Sequence, residues 1–134
     1  MAPSQPIDAT VVVLNRDGRR HLARCLSAAL ALDGLAGPAA VVLADDASSD
    51  DSVAFARSAF PGLRVVAWDA PVGFAAGNNR AVEQVTSEYV LLLNNDTVVR
   101  SDALTLLAGE AAGGAALVGA RIVTMDSQRI DFDG

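Results

Sequence analysis

The chain has 134 residues, 51% of them hydrophobic and 19% charged, a balance that excludes intrinsic disorder and predicts one folded domain. Its 16 acidic and 10 basic residues give a net charge of −6, and a negative field of this kind opposes binding to nucleic acids. A nucleoside diphosphate remains compatible with this charge, because backbone N–H groups, a metal ion or one arginine can bind it locally.

Apolar runs and helical spacings alternate along the chain. In order, they predict a strand over 10–14, a helix over 21–32, a strand over 40–44, a helix over 51–59, a strand over 63–67, a helix over 75–85, a strand over 89–93, a helix over 102–112 and a strand over 116–123. Near-continuous apolar strands joined by helices are typical of a parallel sheet covered on both faces. We therefore predict a doubly wound α/β fold. No apolar run approaches the ~20 residues of a membrane-spanning helix.

Polar loops follow the first four predicted strands. These loops cover residues 15–18, 45–50, 68–77 and 94–97. In doubly wound sheets the ligand lies outside the carboxyl ends of the strands, where such loops converge. The sequence therefore predicts a binding site built from these four segments.

The second loop begins with Asp45 and Asp46, directly after an apolar strand. At a sheet edge, the Asp45 carboxylate can accept hydrogen bonds from a nucleobase N–H or a ribose hydroxyl. Ser49 and Asp50 are instead typical of helix capping, and Asp51 is placed to complement the helix dipole. We predict a nucleotide contact for Asp45 and capping for Ser49 and Asp50.

The fourth loop reads Asn94-Asn95-Asp96. A hard cation such as Mg²⁺ or Mn²⁺ prefers oxygen ligands, and one protein carboxylate can suffice when substrate phosphates complete the shell. Asp96 is the predicted ligand. An Asx turn explains the same residues equally well, because Asn and Asp side chains bond their own backbone.

The third loop is rich in small residues. Gly73 and Gly77 permit positive φ or close backbone approach, and Arg80 is placed to reach a phosphate or to support the Asp45 region. The loop matches neither the dinucleotide fingerprint nor the P-loop signature, so a purely structural turn is the alternative. Trp68, the first residue of this loop, is interpreted as a half-buried anchor, with stacking on a base or sugar as the alternative.

Four segments, taken in order, resemble glycosyltransferases of family 2, especially their rhamnosyltransferase-like branch. They read VVVLNR from Val11, LADDASSD from Leu43, GFAAGNNR from Gly73 and LLLNNDT from Leu91. The likeness extends over nearly the whole chain, including 119–123 and 130–134. It implies a GT-A fold, a nucleoside-diphosphate sugar donor and a divalent metal, Mg²⁺ or Mn²⁺, bound at a degenerate Asp-x-Asp motif over 94–96.

The resemblance also implies roles for individual residues. Asp96 corresponds to the metal ligand, Asp45 to the acid that contacts the base, and Arg80 to a position near the nucleotide. Asn15 and its neighbours correspond to the strand end that lies against the nucleotide. The predicted nucleotide-sugar site comprises Leu14, Asn15, Arg16, Asp45, Asp46, Gly73, Asn78, Arg80 and Asn95.

The mechanism implied by the resemblance is inverting: a carboxylate base deprotonates an acceptor hydroxyl while the metal stabilises the departing diphosphate. The family places that base well downstream of the metal motif, so we expect it beyond Gly134. Residues 1–134 are then one nucleotide-sugar-binding domain, truncated before the catalytic base and acceptor region. Asp126, Asp131 and Asp133 are interpreted as solvated turn residues. Alone, the chain is expected to bind donor nucleotide and to transfer little sugar.

The rhamnosyltransferase-like branch implies a dTDP- or UDP-sugar donor and a glycan or lipid-linked acceptor. A catalytically inactive nucleotide-binding or assembly module that retains the fold is the main alternative. A nucleotidyltransferase is a weaker one, because the chain contains no lysine and so lacks the lysine-bearing phosphate loop.

Three further expectations concern the setting of the chain. A single cysteine, Cys25, and a start without a basic-then-apolar signal predict a cytoplasmic location, with peripheral attachment to the inner face of the membrane through the parent protein. Cys25 falls on the apolar face of the first helix and is expected in the core. Apolar residues near Ile122 and Ile130 favour a homo-oligomer.

Overall fold

The computed structural model describes residues 5–125 and the backbone of residues 130–133. Its elements in chain order are β1 (Ala9–Asn15), α1 (Arg19–Leu30), a 3-10 turn (Pro38–Ala40), β2 (Val41–Asp45), α2 (Ser52–Ala59), β3 (Arg64–Ala67), α3 (Phe74–Val82), β4 (Tyr89–Asn94), α4 (Ala103–Ala112), β5 (Arg121–Val123) and β6 (Ile130–Asp133). The first four predicted strands and all four predicted helices are present, with boundaries shifted by three residues at most.

The first four strands form one parallel sheet in the order β3-β2-β1-β4. One face packs against α1, α2 and α4, and the other against α3. Each connection between consecutive strands contains a helix, because parallel neighbours need a crossover. The predicted doubly wound α/β fold is confirmed.

The core is centred on β1 and β2, the two inner strands. Val11 and Val13 face the larger cluster with α1, whereas Val12 faces the smaller cluster with Ala81 of α3. This alternation places apolar side chains on both faces of an inner strand, as the continuous apolar runs predict.

The edge strand β4 departs from that pattern. Leu93 is buried, but Val90 and Leu92 on the opposite face are 37% and 53% exposed. The cause is geometric, because α3 packs mainly over β1 and β2 and leaves this part of β4 uncovered. The prediction of burial on both faces is therefore wrong for β4.

The fifth predicted strand is also wrong in extent and partner. Only Arg121–Val123 of the run over 116–123 is extended, and it pairs antiparallel with β6, outside the parallel sheet. The preceding stretch is dominated by Ala and Gly, which are depleted in strands, whereas the extended part holds Ile122 and Val123.

Two of the three late aspartates differ from their predicted setting. Asp131 and Asp133 lie in β6 rather than in a turn. Asp126 lies outside the described residues. Of the helices in the described ranges, none has the length and apolar character needed to cross a bilayer.

Candidate functional site

An open cleft of about 350 Å³ lies at the carboxyl end of the sheet. The strand order places the topological switch point between β1 and β4, since β2 leaves β1 on one side and β4 joins it on the other. Open α/β sheets bind ligands at such a point. The cleft is lined by Leu14, Arg16, Asp46, Gly73, Phe74, Asn94, Asn95 and Asp96.

Six of the ten residues predicted from the sequence meet at this cleft. They come from the carboxyl end of β1, from the loops after β1, β2 and β4, and from the segment that enters α3. Their convergence follows from the register, which sets Asn15 opposite Asp45 and Leu14 opposite Asn94. The other four, Asn15, Asp45, Asn78 and Arg80, do not line it.

Asp45 is buried beneath the cleft, with only 2% of its surface exposed. Its Oδ1 accepts hydrogen bonds from Asn15 Nδ2 at 2.9 Å and from Ser48 Oγ at 2.7 Å. Its Oδ2 accepts from the Ser48 backbone N–H at 2.9 Å. This carboxylate holds the turn after β2, and its contact with a nucleobase stays a prediction.

Asp46 fixes the loop that leads into α3. Its Oδ1 accepts the Val72 N–H at 2.7 Å and its Oδ2 accepts the Gly73 N–H at 2.9 Å. Both bonds are charge-assisted, and Asp46 itself is 2% exposed. One wall of the cleft, which carries Gly73 and Phe74, is thereby attached to the end of β2.

The outer rim is tied together by two exposed aspartates. Asp17, at φ 49°, accepts the Ser49 and Asp50 backbone N–H groups, and these bonds lower its pKa. Burial raises the pKa of Asp50, but hydrogen bonds from Ser52 and the Arg19 N–H outweigh it, so the net pKa is lowered. Asp50 thus accepts the first backbone N–H of both α1 and α2, which satisfies an N–H group of α2 as predicted, although the N-cap residue of α2 is Asp51. Ser49 does not cap, because its hydroxyl donates to Asp17.

The two glycines predicted in the third loop serve the two purposes predicted for them, although Gly77 lies within α3. Gly73 has φ 91°, a value that L side chains rarely adopt. At Gly77 an added Cβ would lie 2.8 Å from Leu14 Cδ1, so the absence of a side chain lets α3 pack closely on Leu14. Both positions shape the cleft wall without contributing chemistry.

Trp68 and Arg80 form a pair beside the cleft. The Trp68 ring is half-buried against the α3-side core, and the Arg80 guanidinium carbon lies 5.9 Å from the ring centroid. The predicted anchoring role of Trp68 is confirmed. The structure places Arg80 over this ring, and places Asn78 within α3 where its Nδ2 donates to the Phe74 carbonyl at 3.1 Å.

Asp96 is an exposed carboxylate in the cleft, and it accepts no hydrogen bond from the described part of the chain. The Thr97 N–H donates to the Asn94 carbonyl at 3.1 Å, so the predicted turn is also present. Among residues 5–125, no group of three or more His, Cys, Asp or Glu side chains is arranged to hold a metal. A hard divalent cation fits here only if Asp96 and neighbouring amide oxygens are its protein ligands and substrate phosphates complete its coordination shell.

Cys25 lies in the core beneath this turn, as predicted, and its thiol donates to the Asn94 carbonyl at 3.5 Å. Burial, and then the charge of Asp96, raise the pKa of the Cys25 thiol to about 11.

We therefore expect Cys25 to resist a thiol reagent at pH 8. Because the pKa of the thiol is about two units higher than that of an ordinary cysteine, roughly a hundredfold less thiolate is present at pH 8. Burial also slows access of the reagent. Absorbance measurements with Ellman's reagent should show a slow reaction in native buffer and a rapid, complete reaction in denaturant. Rapid reaction of the native protein would contradict this environment.

Four residues of the site are not among those assigned an individual role from the sequence. Phe74 and Asn94 line the cleft, and Ser48 and Gly18 pack around Asn15. Asn94 belongs to the motif Asn94-Asn95-Asp96, which is evident in the sequence. No sequence feature marks Phe74, which is 67% exposed, as a lining residue. Gly18 becomes notable only when its neighbours in space are known.

The family model described as glycosyl transferase family 2 matches residues 9–131. The chain belongs to this family. No curated protein sequence matches it significantly. The match spans all four parallel strands and the cleft between them, so the likeness read from the sequence motifs is confirmed at the level of the family.

Several solved structures share the fold. S. aureus TarS 1-349 aligns with a TM-score of 0.65 and 21% identity, over 78% of this chain and 32% of TarS. Mannosyltransferase PcManGT from Pyrobaculum calidifontis, solved with GDP-Man and Mn²⁺, aligns with a TM-score of 0.65 and 24% identity, over 80% of this chain and 34% of its own. TarS 1-349 in complex with UDP-GlcNAc aligns with a TM-score of 0.67 and 16% identity, over 88% of this chain and 41% of its own. The chain thus spans about a third to two fifths of these structures.

Proposed function

We propose that this chain is the donor-binding domain of an inverting glycosyltransferase that transfers sugar from a nucleoside diphosphate to an acceptor hydroxyl. The observation that carries the proposal is the cleft at the β1–β4 switch point, lined by Arg16 and Asp96, in a chain of glycosyl transferase family 2. Two solved neighbours with this fold were crystallised with sugar nucleotides, which supports the same ligand class here.

The donor's diphosphate needs positive charge. Arg16 is the cationic side chain among the residues that line the cleft, and it is exposed to solvent. Asp96, which accepts no hydrogen bond within residues 5–125, has the chemistry to hold Mg²⁺ or Mn²⁺. When bound, such an ion neutralises charge on the departing diphosphate. Arg16 and Asp96 are therefore the side chains proposed to bind the diphosphate, Arg16 directly and Asp96 through the cation.

The nucleoside is proposed to lie along the loops after β1 and β2. Leu14 offers an apolar surface, and Gly73 leaves room for close approach of the ligand to the backbone. The motif likeness to the rhamnosyltransferase-like branch supports dTDP or UDP as the nucleotide part. The acceptor is proposed to be a glycan or a lipid-linked saccharide, deprotonated by a carboxylate outside residues 1–134.

The experiment is calorimetric titration of the chain with UDP, dTDP and GDP, each with and without Mn²⁺. We expect Mn²⁺-dependent binding of UDP or dTDP and at least tenfold weaker binding for Asp96→Asn, because the neutral amide holds the cation poorly. Asp33→Asn is the matched control, since Asp33 is exposed after the far end of α1 and the substitution makes the same change in charge.

The outcomes separate the alternatives. Binding that is lost only in Asp96→Asn supports a metal-dependent donor site. Equal binding by Asp96→Asn and wild type would remove Asp96 from the site, and no binding to any nucleotide would overturn the proposed function. Binding without sugar transfer, even when the complete parent protein is assayed, would favour the catalytically inactive module.

A further inference from the structure

The side chain of Asn15 is a buried polar group at the site with three hydrogen-bond partners. It is 1% exposed, although it stands at the end of β1 directly beside the cleft. Its Nδ2 donates to Asp45 Oδ1 at 2.9 Å and to Ser48 Oγ at 3.2 Å. Its Oδ1 accepts from Asn95 Nδ2 at 2.8 Å. Both amide hydrogens are used, so none remains for a ligand.

These partners lie far apart in sequence and come together only at β1. Asn15 is 30, 33 and 80 residues from Asp45, Ser48 and Asn95. Because β1 lies between β2 and β4, a side chain at its carboxyl end can reach the loops of both neighbours. Asn15 thus joins the loop that carries Asp45 to the loop that carries Asp96.

The chemistry of this junction requires a carboxamide. Toward β2 the side chain must donate, because Asp45 presents a carboxylate oxygen. Toward β4 it must accept, because Asn95 presents an N–H group. An aspartate at position 15 would set two carboxylates against each other, and an aliphatic residue would leave Asp45 and Asn95 without these bonds.

Asn95 is the residue through which this arrangement reaches the ligand. It lines the cleft, and it immediately precedes Asp96. Its amide nitrogen is held by Asn15, so its side chain and the turn over 94–97 have one fixed position relative to β1.

We propose that Asn15 is a positioning residue that acts through Asn95, rather than a contact residue for the nucleotide. It rests on the proposed function, since it assigns how the donor site is held in place. It revises the role expected from the family resemblance, in which this strand end lies against the nucleotide.

The test is a double-mutant cycle with Asn15→Ala, Asn95→Ala and the double variant. The measured quantity is the calorimetric affinity, with Mn²⁺, for whichever of UDP, dTDP and GDP the wild type binds most tightly. We expect about a tenfold loss for each single variant and about the same loss for the double variant, because both substitutions remove one shared interaction. A direct contact from Asn15 would instead give additive losses of about a hundredfold in the double variant.

Thr10→Val controls for loss of a buried polar group in the same strand. Thr10 is 7% exposed and accepts from Ser87 Oγ at 2.8 Å, at the opposite end of β1. It should lower stability without changing nucleotide affinity. If Asn15→Ala does not fold, Asn15→Ser, which keeps a small polar group, replaces it in the cycle.

The possible results distinguish a positioning role of Asn15 from direct contact with the nucleotide, and both from failure of the proposed function. Coupled losses in affinity support positioning. Additive losses, or an unchanged affinity in Asn15→Ala, overturn the inference while leaving the proposed function intact. A wild-type chain that binds none of UDP, dTDP and GDP overturns the proposed function, and with it the inference.

Discussion

Replacing Gly18 with alanine is expected to lower the free energy of unfolding by about 2 kcal/mol and to weaken nucleotide binding at least tenfold. Gly18 is buried at the start of α1, and an added Cβ would overlap Asn95 Nδ2 and Asn15 Oδ1, with Asn95 Cγ only 3.1 Å away. The methyl group cannot be accommodated unless the Asn15–Asn95 hydrogen bond opens. Asn15 is fully buried, so Asn95 is the partner that must move.

The matched control is Gly109→Ala. Gly109 lies within α4, and nothing lies within 4 Å of the position of an added Cβ. Alanine there should raise stability by roughly 0.5–1 kcal/mol, because it forms helices better than glycine. Urea unfolding and calorimetric titration measure both effects. A Gly18→Ala variant as stable and as tightly binding as wild type would show that the strand-end packing tolerates displacement of Asn95.

Asp46→Ala is expected to lower the free energy of unfolding by about 3 kcal/mol, because two charge-assisted bonds to backbone N–H groups are lost. The Val72 and Gly73 N–H groups lose their acceptor, and the segment entering α3 is released from the end of β2. Since Gly73 and Phe74 form one wall of the cleft, nucleotide affinity should fall about tenfold as well.

Asp69→Ala is the control for this second change. Asp69 is exposed in the same connection between β3 and α3, and it carries the same charge. Its replacement should alter stability by no more than about 0.5 kcal/mol. Hydrogen exchange of the Val72 and Gly73 amides gives a local readout, and it should accelerate in Asp46→Ala alone. Unchanged protection of these two amides would argue against the role of Asp46 in holding this loop.

The two predictions concern different walls of one cleft. Gly18 affects the loop after β4 through Asn95, whereas Asp46 affects the loop before α3. Both act through hydrogen bonds between segments that are distant in sequence. The walls of the cleft are therefore held in place by hydrogen bonds from buried side chains.

The amino-acid sequence by itself determined the elements of the parallel sheet and the residues that gather at its edge. Apolar runs such as the one in β1 and the helical spacing of α1 are local patterns, and local patterns suffice to predict strands, helices and their alternation. Because parallel strands must be joined by crossovers, alternation also predicted that Asn15, Asp45 and Asp96 would approach one another.

Only the tertiary structure decided what those residues do for one another. Asn15 and Asp45 carry the same functional groups whether they face a ligand or each other, and it is the register of β1 on β2 that pairs them. The exposed face of β4 and the separation of β5 from the main sheet likewise depend on which helix covers which strand. Such choices rest on contacts between distant segments, and the free energy of those contacts is not encoded in any local pattern of residues.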